Sequence, residues 1–305
     1  MTNNFFTYLS DLELNDDIIF HHKNLANNKQ EFILPHAQYD GVSGLVKLLD
    51  EKLDITDYET SVIKPKINPP NLLSKAWMCG LYLLKDFYPK TSAFYLNKSQ
   101  GSFSEDFEFF YLNESEVEYI KKQAKFKNVS VNCYLLFILN CFIRENSNLT
   151  KGVQRWMIPV SMYSHIDETK RSGNNSSFIE ACISRTTSID SLNNNIVKSL
   201  AQYKYLAPKI VESYLLKFPK FIILLIMQNH FKKNLRLGSF SNLGVWKVDK
   251  LNTDSYWGFC APLGPNQPFT CSIITINNKM CIGMKAYAWL ELKNSFKNFK
   301  ENLLE

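Results

Sequence analysis

His36, Asp40 and Gly41 stand at a short fixed spacing in the run His36-Ala37-Gln38-Tyr39-Asp40-Gly41. Histidine is the side chain whose ordinary pKa lets it trade protons near neutral pH, so a histidine held in a tight loop is a candidate general base. An aspartate four positions on can order such a loop without reacting, and a glycine after it admits close chain approach. The other chemistry-bearing residues do not assemble into a competing pattern. The seven cysteines are scattered, with no CxxC pair and no histidine at metal-ligand spacing. No metal site is expected, and the thiols read as those of a reduced, cytoplasmic protein.

The elements that must hold the histidine follow from the flanking patterns. Phe32-Ile33-Leu34 reads as a strand that delivers His36, and Gly44 to Leu53 as the helix that leaves the loop. Asp17 to His22 is a second strand, paired with Glu31 to Pro35 in a hairpin. After a breaker at Asn68-Pro69-Pro70-Asn71, Leu72 to Tyr88 reads as helix. Phe103 to Leu112 alternates as a strand, and Asn113-Glu114-Ser115-Glu116 is a helix start for Glu114 to Lys125. Cys133 to Arg144 is an apolar helix with Ser130 near its cap. Gln154 to Ser161 and Asn174 to Ser184 read as strands around a polar loop, Asp167 to Ser177. Ser188 to Tyr205 and Ala207 to Lys233 read as helices, the second broken near Pro219. Gly238 to Gly244 is a strand running into a turn. Phe269 to Ile276 and Met280 to Tyr287 flank a hairpin turn at Asn277-Asn278-Lys279, and Trp289 to Leu304 closes the chain as a helix. Alternating strands and helices of this kind predict a mixed α/β protein.

Three segments then occur in order: His36-x-x-x-Asp40-Gly41 after a strand, Ile158-Pro159-Val160-Ser161 with Gly173-Asn174 downstream, and Ser241-Asn242-Leu243-Gly244 on a late strand. Together they resemble the chloramphenicol acetyltransferase-like acyltransferases, which include nonribosomal-peptide condensation domains and wax ester synthase-type enzymes and share an HxxxDG signature. The resemblance covers most of the chain from about Asp17. It implies a two-lobed fold of mixed sheets and flanking helices, with an N-terminal lobe over residues 1–150 and a C-terminal lobe over 151–305. It implies transfer of an acyl group from a thioester, on coenzyme A or an acyl carrier protein, to a hydroxyl or amine acceptor, without an acyl-enzyme. His36 takes the place of the general base. Asp40 is expected to turn away and pair with an arginine, for which Arg155 and Arg185 are the candidates. Ser241 and Asn242 are candidate channel-wall or oxyanion groups. The acyl donor is a substrate, and no permanently bound cofactor is implied. Residue 35 is proline where some branches carry a first histidine, and only 35 residues precede His36. The first lobe is therefore expected to be incomplete, with a second chain or copy completing it, or with the fold retained as a non-catalytic scaffold or subunit.

Composition sets the remaining limits. The 305 residues are 45% hydrophobic and 21% charged, enough for a large packed core. The net charge of +6 suits a phosphate-bearing ligand or an acidic carrier, but the lysines are dispersed without a basic-aromatic module, so nucleic acid is not expected. No signal peptide or transmembrane segment is expected, because the longest apolar run, Phe221 to Met227, is far shorter than the roughly 20 residues a span needs. With Lys217, Lys220, Lys232 and Lys233 around it, the stretch Leu215 to Lys233 fits a lipid-contacting helix or a core helix with solvated ends, and the core helix is expected. The pair His21-His22 lacks a following Asp-Gly and reads as part of a strand. His165 and His230 have no supporting neighbours. Trp246, Trp257 and Trp289 are read as core.

Overall fold

The computed structural model describes residues 17–23, 29–62, 71, 79–80, 82, 105–147, 152–163, 174–233, 235–251, 254–264, 267–287 and 292–305. The predicted breaker and helix over 68–88 fall almost wholly outside these residues, as does most of the polar loop 167–177. Among the described residues, ten strands and seven α-helices form a mixed α/β fold.

Strands β1 (Asp17–Lys23) and β2 (Lys29–Pro35) pair antiparallel, with Asp17 opposite Pro35, as the hairpin pattern predicts. The first helix, α1 (Gly41–Lys47), starts three residues earlier than the apolar pattern suggests and continues into a π-helical turn, Leu48–Lys52. The earlier start has a local cause: Asp40 and Ser43 form a reciprocal capping box, which makes Asp40 the N-cap. A two-residue strand, β3 (Glu59–Thr60), follows. Next come β4 (Glu105–Leu112), α2 (Glu114–Phe126) and α3 (Val131–Asn146). The caps of both helices are those the sequence marks, Asn113 with Glu116 and Ser130 to the Cys133 amide.

The second half supplies β5 (Gln154–Ser161), β6 (Ser176–Ile183), α4 (Ile189–Ala201), α5 (Leu206–Leu215) and α6 (Lys220–Lys233). It ends with β7 (Gly238–Lys247), β8 (Tyr256–Cys260), β9 (Phe269–Ile276), β10 (Lys279–Tyr287) and α7 (Lys293–Leu304). The β9–β10 turn consists of Asn277 and Asn278, both with positive φ (48° and 64°), the conformation a two-residue hairpin turn demands and asparagine tolerates.

The main sheet runs β4-β10-β9-β7-β5-β6, with β3 added on β7; a smaller sheet runs β2-β1-β8. Strands thus pass between the two halves of the chain in both directions: β8 completes the β1–β2 sheet and β4 closes one side of the main sheet. The main sheet is covered on both faces. Helices α2, α3 and α7 pack on one, around Leu136, Phe142, Phe240, Phe269, Ile273 and Phe299. The small sheet and α1 pack on the other, around Phe20, Leu45, Leu243, Trp246, Phe259 and Ile274. Every residue of β9 is buried, as expected of a strand enclosed on both sides.

Strand β8 escapes the alternation rule because its glycine hides it. Gly258 lies against Phe109 and Cys281 so closely that a Cβ would sit 2.9 Å from the Phe109 ring, so the strand carries a gap where a side chain would signal burial. Trp246 and Trp257 are core residues, as expected. Helix α6 is not the core helix expected: Ile223 is fully buried, but Phe221 is 71% exposed and Leu225 58%.

Candidate active site

The main sheet forks where the histidine loop sits. Strands β5 and β7 pair in parallel only at Trp156–Gly238 and Met157–Ser239. Two residues further on β5 carries Pro159, which cannot donate to a ladder. Beyond that point β5 continues with β6 to the Ser161–Ser176 pair, while β7 continues with β9. The loop between β2 and α1 bridges the two branches.

On the β6 side the bridge is polar. The Asn175 backbone N–H donates to Asp40 Oδ2 at 2.7 Å, and Asn174 Nδ2 donates to the His36 carbonyl at 3.0 Å. Asn174 Oδ1 accepts from the Ser176 amide and hydroxyl, which fixes the orientation of its amide. On the β7 side the bridge is apolar and very close. A Cβ on Gly41 would lie 2.5 Å from Leu243 Cδ2 and 3.0 Å from Phe259 Cζ. Gly41 has no positive φ; its missing side chain serves the close approach expected of it. Leu243 is aimed there by a bulge between Asn242 and Val245, in which Gly244 takes φ +76° and donates its N–H to Asn242 Oδ1 (2.7 Å).

Within the loop the Gln38 and Tyr39 amides both donate to the Pro35 carbonyl, closing a tight turn. His36 Nδ1 lies 2.9 Å from the Tyr39 carbonyl oxygen. A carbonyl only accepts, so this bond, much shorter than the 3.4 Å approach of Asn174 Nδ2 to the same nitrogen, favours the proton on Nδ1 and leaves Nε2 as the basic nitrogen. Tyr39 is held in turn by Lys47, whose Nζ donates to its hydroxyl at 2.6 Å and lies 4.7 Å from its ring centre. Burial pushes the His36 pKa down to about 4, against the pull of the Tyr39 carbonyl. The imidazole is therefore neutral at physiological pH, the form a base requires.

Asp40 departs from expectation. Its carboxylate accepts from two backbone amides, Ser43 at 2.8 Å and Asn175 at 2.7 Å, and no arginine is bonded to it among the described residues. Burial pushes its pKa above the ordinary carboxylate value, opposed by these donors. Arg155 is committed elsewhere: its Nη2 donates to Glu180 Oε1 at 2.7 Å, and Arg236 meets the same oxygen at 2.9 Å. Arg185 lies in the turn after β6, exposed, rather than on a strand.

The two SNLG candidates separate. Asn242 shares a face with Phe240, whose ring is in the helix-side core, and its Nδ2 donates to Asn132 Oδ1 on α3 at 2.6 Å. With its oxygen spent on Gly244, it is a structural link and not a group beside the histidine. Ser241 alternates with Leu243 and so shares the face that meets α1. His21 is a buried strand residue, hydrogen-bonded to the Tyr111 hydroxyl (2.5 Å) and stacked on Phe109, while His22 stacks on Trp257. The strand reading of that pair holds. His165 and the side chain of His230 lie outside the described residues, as does Trp289.

No family model matches the sequence, and no curated protein is detectably similar to it. Solved structures are. A trichothecene 15-O-acetyltransferase from Fusarium sporotrichioides superposes at TM-score 0.57 with 11% identity, over 90% of this chain and 65% of that one. The chain has the chloramphenicol acetyltransferase-like fold. The first condensation domain of the calcium-dependent antibiotic synthetase, solved with a substrate analogue, gives TM-score 0.57 at 9% identity, over 92% of this chain and 67% of that one. Polyketide synthase associated protein 5 from Mycobacterium tuberculosis gives 0.53 at 12%, over 90% and 73%. The chain thus spans about two thirds to three quarters of the length of these proteins. At such identities the likeness establishes the acyltransferase and condensation-domain fold itself, and the HxxxDG loop has its own geometry to speak for it.

Sequence reasoning missed Asn175 and Tyr39. Both act through backbone atoms, a donor and an acceptor that every residue type carries, so no side-chain pattern could reveal them. Asn174 was visible as part of the spaced pattern, though its bond to His36 was not. Glu180 stands without a neighbouring cation in sequence; its partners come from β5 and from the residues just before β7.

Proposed function

We propose that this chain transfers an acyl group from a thioester to a hydroxyl or amine acceptor, with His36 as general base. The observation that carries the reading is the clamping of His36: Nδ1 is given to the Tyr39 carbonyl, and the loop is fixed to the β6 branch of the forked sheet through Asn174 and Asn175. A neutral imidazole with its basic nitrogen assigned by a backbone bond is the arrangement proton abstraction needs.

In this reaction Nε2 takes the proton from the acceptor as its lone pair attacks the thioester carbonyl carbon. The oxyanion collapses, the carbon–sulfur bond breaks, and the departing thiolate takes the proton back from the imidazolium. The enzyme ends unchanged, and no acyl-enzyme forms. Ser241, on the face that meets α1, is the residue proposed to line the acyl path. Asp40 sets the loop and does not react. The donor's sulfur carrier is coenzyme A or an acyl carrier protein, and the net positive charge of the chain favours either phosphate-bearing form.

A panel of acyl thioesters of increasing length, incubated with and without hydroxyl and amine acceptors, tests this by release of free thiol. Acceptor-dependent thiol release supports the reading. No thioester consumption with any donor, by a folded protein, would make the chain a scaffold instead.

A further inference from the structure

A neutral histidine has two tautomers, and only one of them gives Nε2 the basic lone pair. The loop offers His36 Nδ1 a partner for each. The Tyr39 carbonyl, 2.9 Å away, accepts a proton carried by Nδ1. The Asn174 amide nitrogen, 3.4 Å away, is a donor and calls for a bare Nδ1 with the proton on Nε2. Asn174 is itself pinned, by the His36 carbonyl at 3.0 Å and by Ser176 on its oxygen, so it does not swing with the ring. The placement of the Tyr39 carbonyl therefore decides between the tautomers.

Tyr39 is held at three points. Its amide donates to the Pro35 carbonyl at 3.1 Å, its carbonyl meets His36, and its hydroxyl accepts from Lys47 Nζ at 2.6 Å. Lys47 is the last residue of α1, whose Val42 and Leu45 are fixed in the core with Phe20 and Leu243. Its ammonium also lies 4.7 Å from the Tyr39 ring centre and 3.3 Å from Glu51 Oε2 on the following turn. One cation thus grips the tyrosine by its face and its hydroxyl while an acid orients the cation. The ion pair with the exposed Glu51 adds little stability by itself. What the lysine does is locate Tyr39 against a buried helix.

We infer that Lys47 is a positioning residue for the histidine: through Tyr39 it keeps the carbonyl on Nδ1, and so keeps the imidazole in the tautomer with a basic Nε2. The inference rests on the reading of His36 as general base, and it is tested both with and without turnover.

Imidazole nitrogen NMR shifts of the full chain, isotope-labelled at histidine, read the proton position directly, and His36→Gln identifies the His36 signals. The wild type is expected as the Nδ1–H tautomer. K47M keeps the apolar stem and loses the ammonium; Y39F keeps the ring and loses the hydroxyl. Each should move a measurable share of His36 to the Nε2–H form. K47R, which keeps the charge and a donor, should restore the wild-type state. In thiol-release assays K47M and Y39F should each lower kcat about three- to tenfold, the loss of one bond, with KM for the thioester unchanged. The double variant should fall no further than either single, since both cut the same link. A wild type in the Nε2–H form, or an unshifted tautomer in both variants, overturns the inference. So does a fall in kcat with the tautomer unchanged, which would make the contact a matter of folding alone. If the wild type consumes no thioester, the nitrogen shifts still decide the inference, and the acyl-transfer reading is what fails.

Discussion

Replacing Asp40 should destabilise the protein through two separable backbone bonds. In Asp40→Ala the Ser43 amide loses its cap acceptor, which costs about 1 kcal/mol. The Asn175 amide loses its acceptor as well, and stranding a donor in this enclosed loop costs about 1–3 kcal/mol. The sum is about 2–4 kcal/mol. Asp40→Ser divides it: serine caps a helix about as well as aspartate, but one short hydroxyl cannot also reach Asn175, so only the second cost of about 1–3 kcal/mol remains. Urea unfolding followed by far-UV circular dichroism measures both. Arg155 is bonded to Glu180, so the effects of Asp40→Ala and Arg155→Ala should add within about 0.5 kcal/mol. An Asp40→Ala variant within about 0.5 kcal/mol of wild type would refute the backbone-clamp account. A strongly non-additive double variant would restore the arginine pairing in its place.

Further perturbations probe the neighbouring features. His36 has its pKa lowered from 6.5 to about 4 by burial, so the folded state binds fewer protons than the unfolded state between those values. Its contribution is complete above pH 6.5 and is lost as pH falls toward 4, by up to about 3 kcal/mol. The stability difference between wild type and His36→Gln, measured from pH 7 to pH 4.5, should carry this slope; a flat difference would mean the imidazole is not desolvated. Gly41→Ala places a methyl against Leu243 and the buried Phe259 ring, and should lower stability by about 1–3 kcal/mol in thermal or urea melts; a more stable variant would contradict the tight approach. Glu180→Ala leaves two buried arginines without their carboxylate and should cost about 3–5 kcal/mol, whereas a loss under 1 kcal/mol would show the cluster to be solvated.

Much of this architecture was written in local patterns. The asparagine turn between β9 and β10, the Asn113 and Ser130 caps and the β1–β2 hairpin depend on neighbouring residues, and each lies where those residues place it. Pro159 was visible within a strand, but its consequence, the parting of β5 from β7, depends on a strand some eighty positions later and only the sheet reveals it. Among the described residues no arginine is bonded to Asp40, for a related reason. A carboxylate can be satisfied by any donor, and here the backbone of Asn175 arrives first, while a second carboxylate, Glu180, takes Arg155 and Arg236. Asn242 and Ser241 show how much one position along β7 changes: it turns a side chain from the α1 face to the helix face. Helix α6 departs from the core helix expected because an unbroken apolar run does not mark which side is covered, and the structure leaves Phe221 and Leu225 exposed while burying Ile223.

The central claim is that His36 removes the acceptor's proton. Initial rates of acceptor-dependent thiol release from one acyl thioester, wild type against His36→Ala with matched circular dichroism spectra, test it most directly. The account predicts a fall of about 10²–10⁴-fold on removal of the base. A His36→Ala protein that releases thiol at the wild-type rate would contradict it.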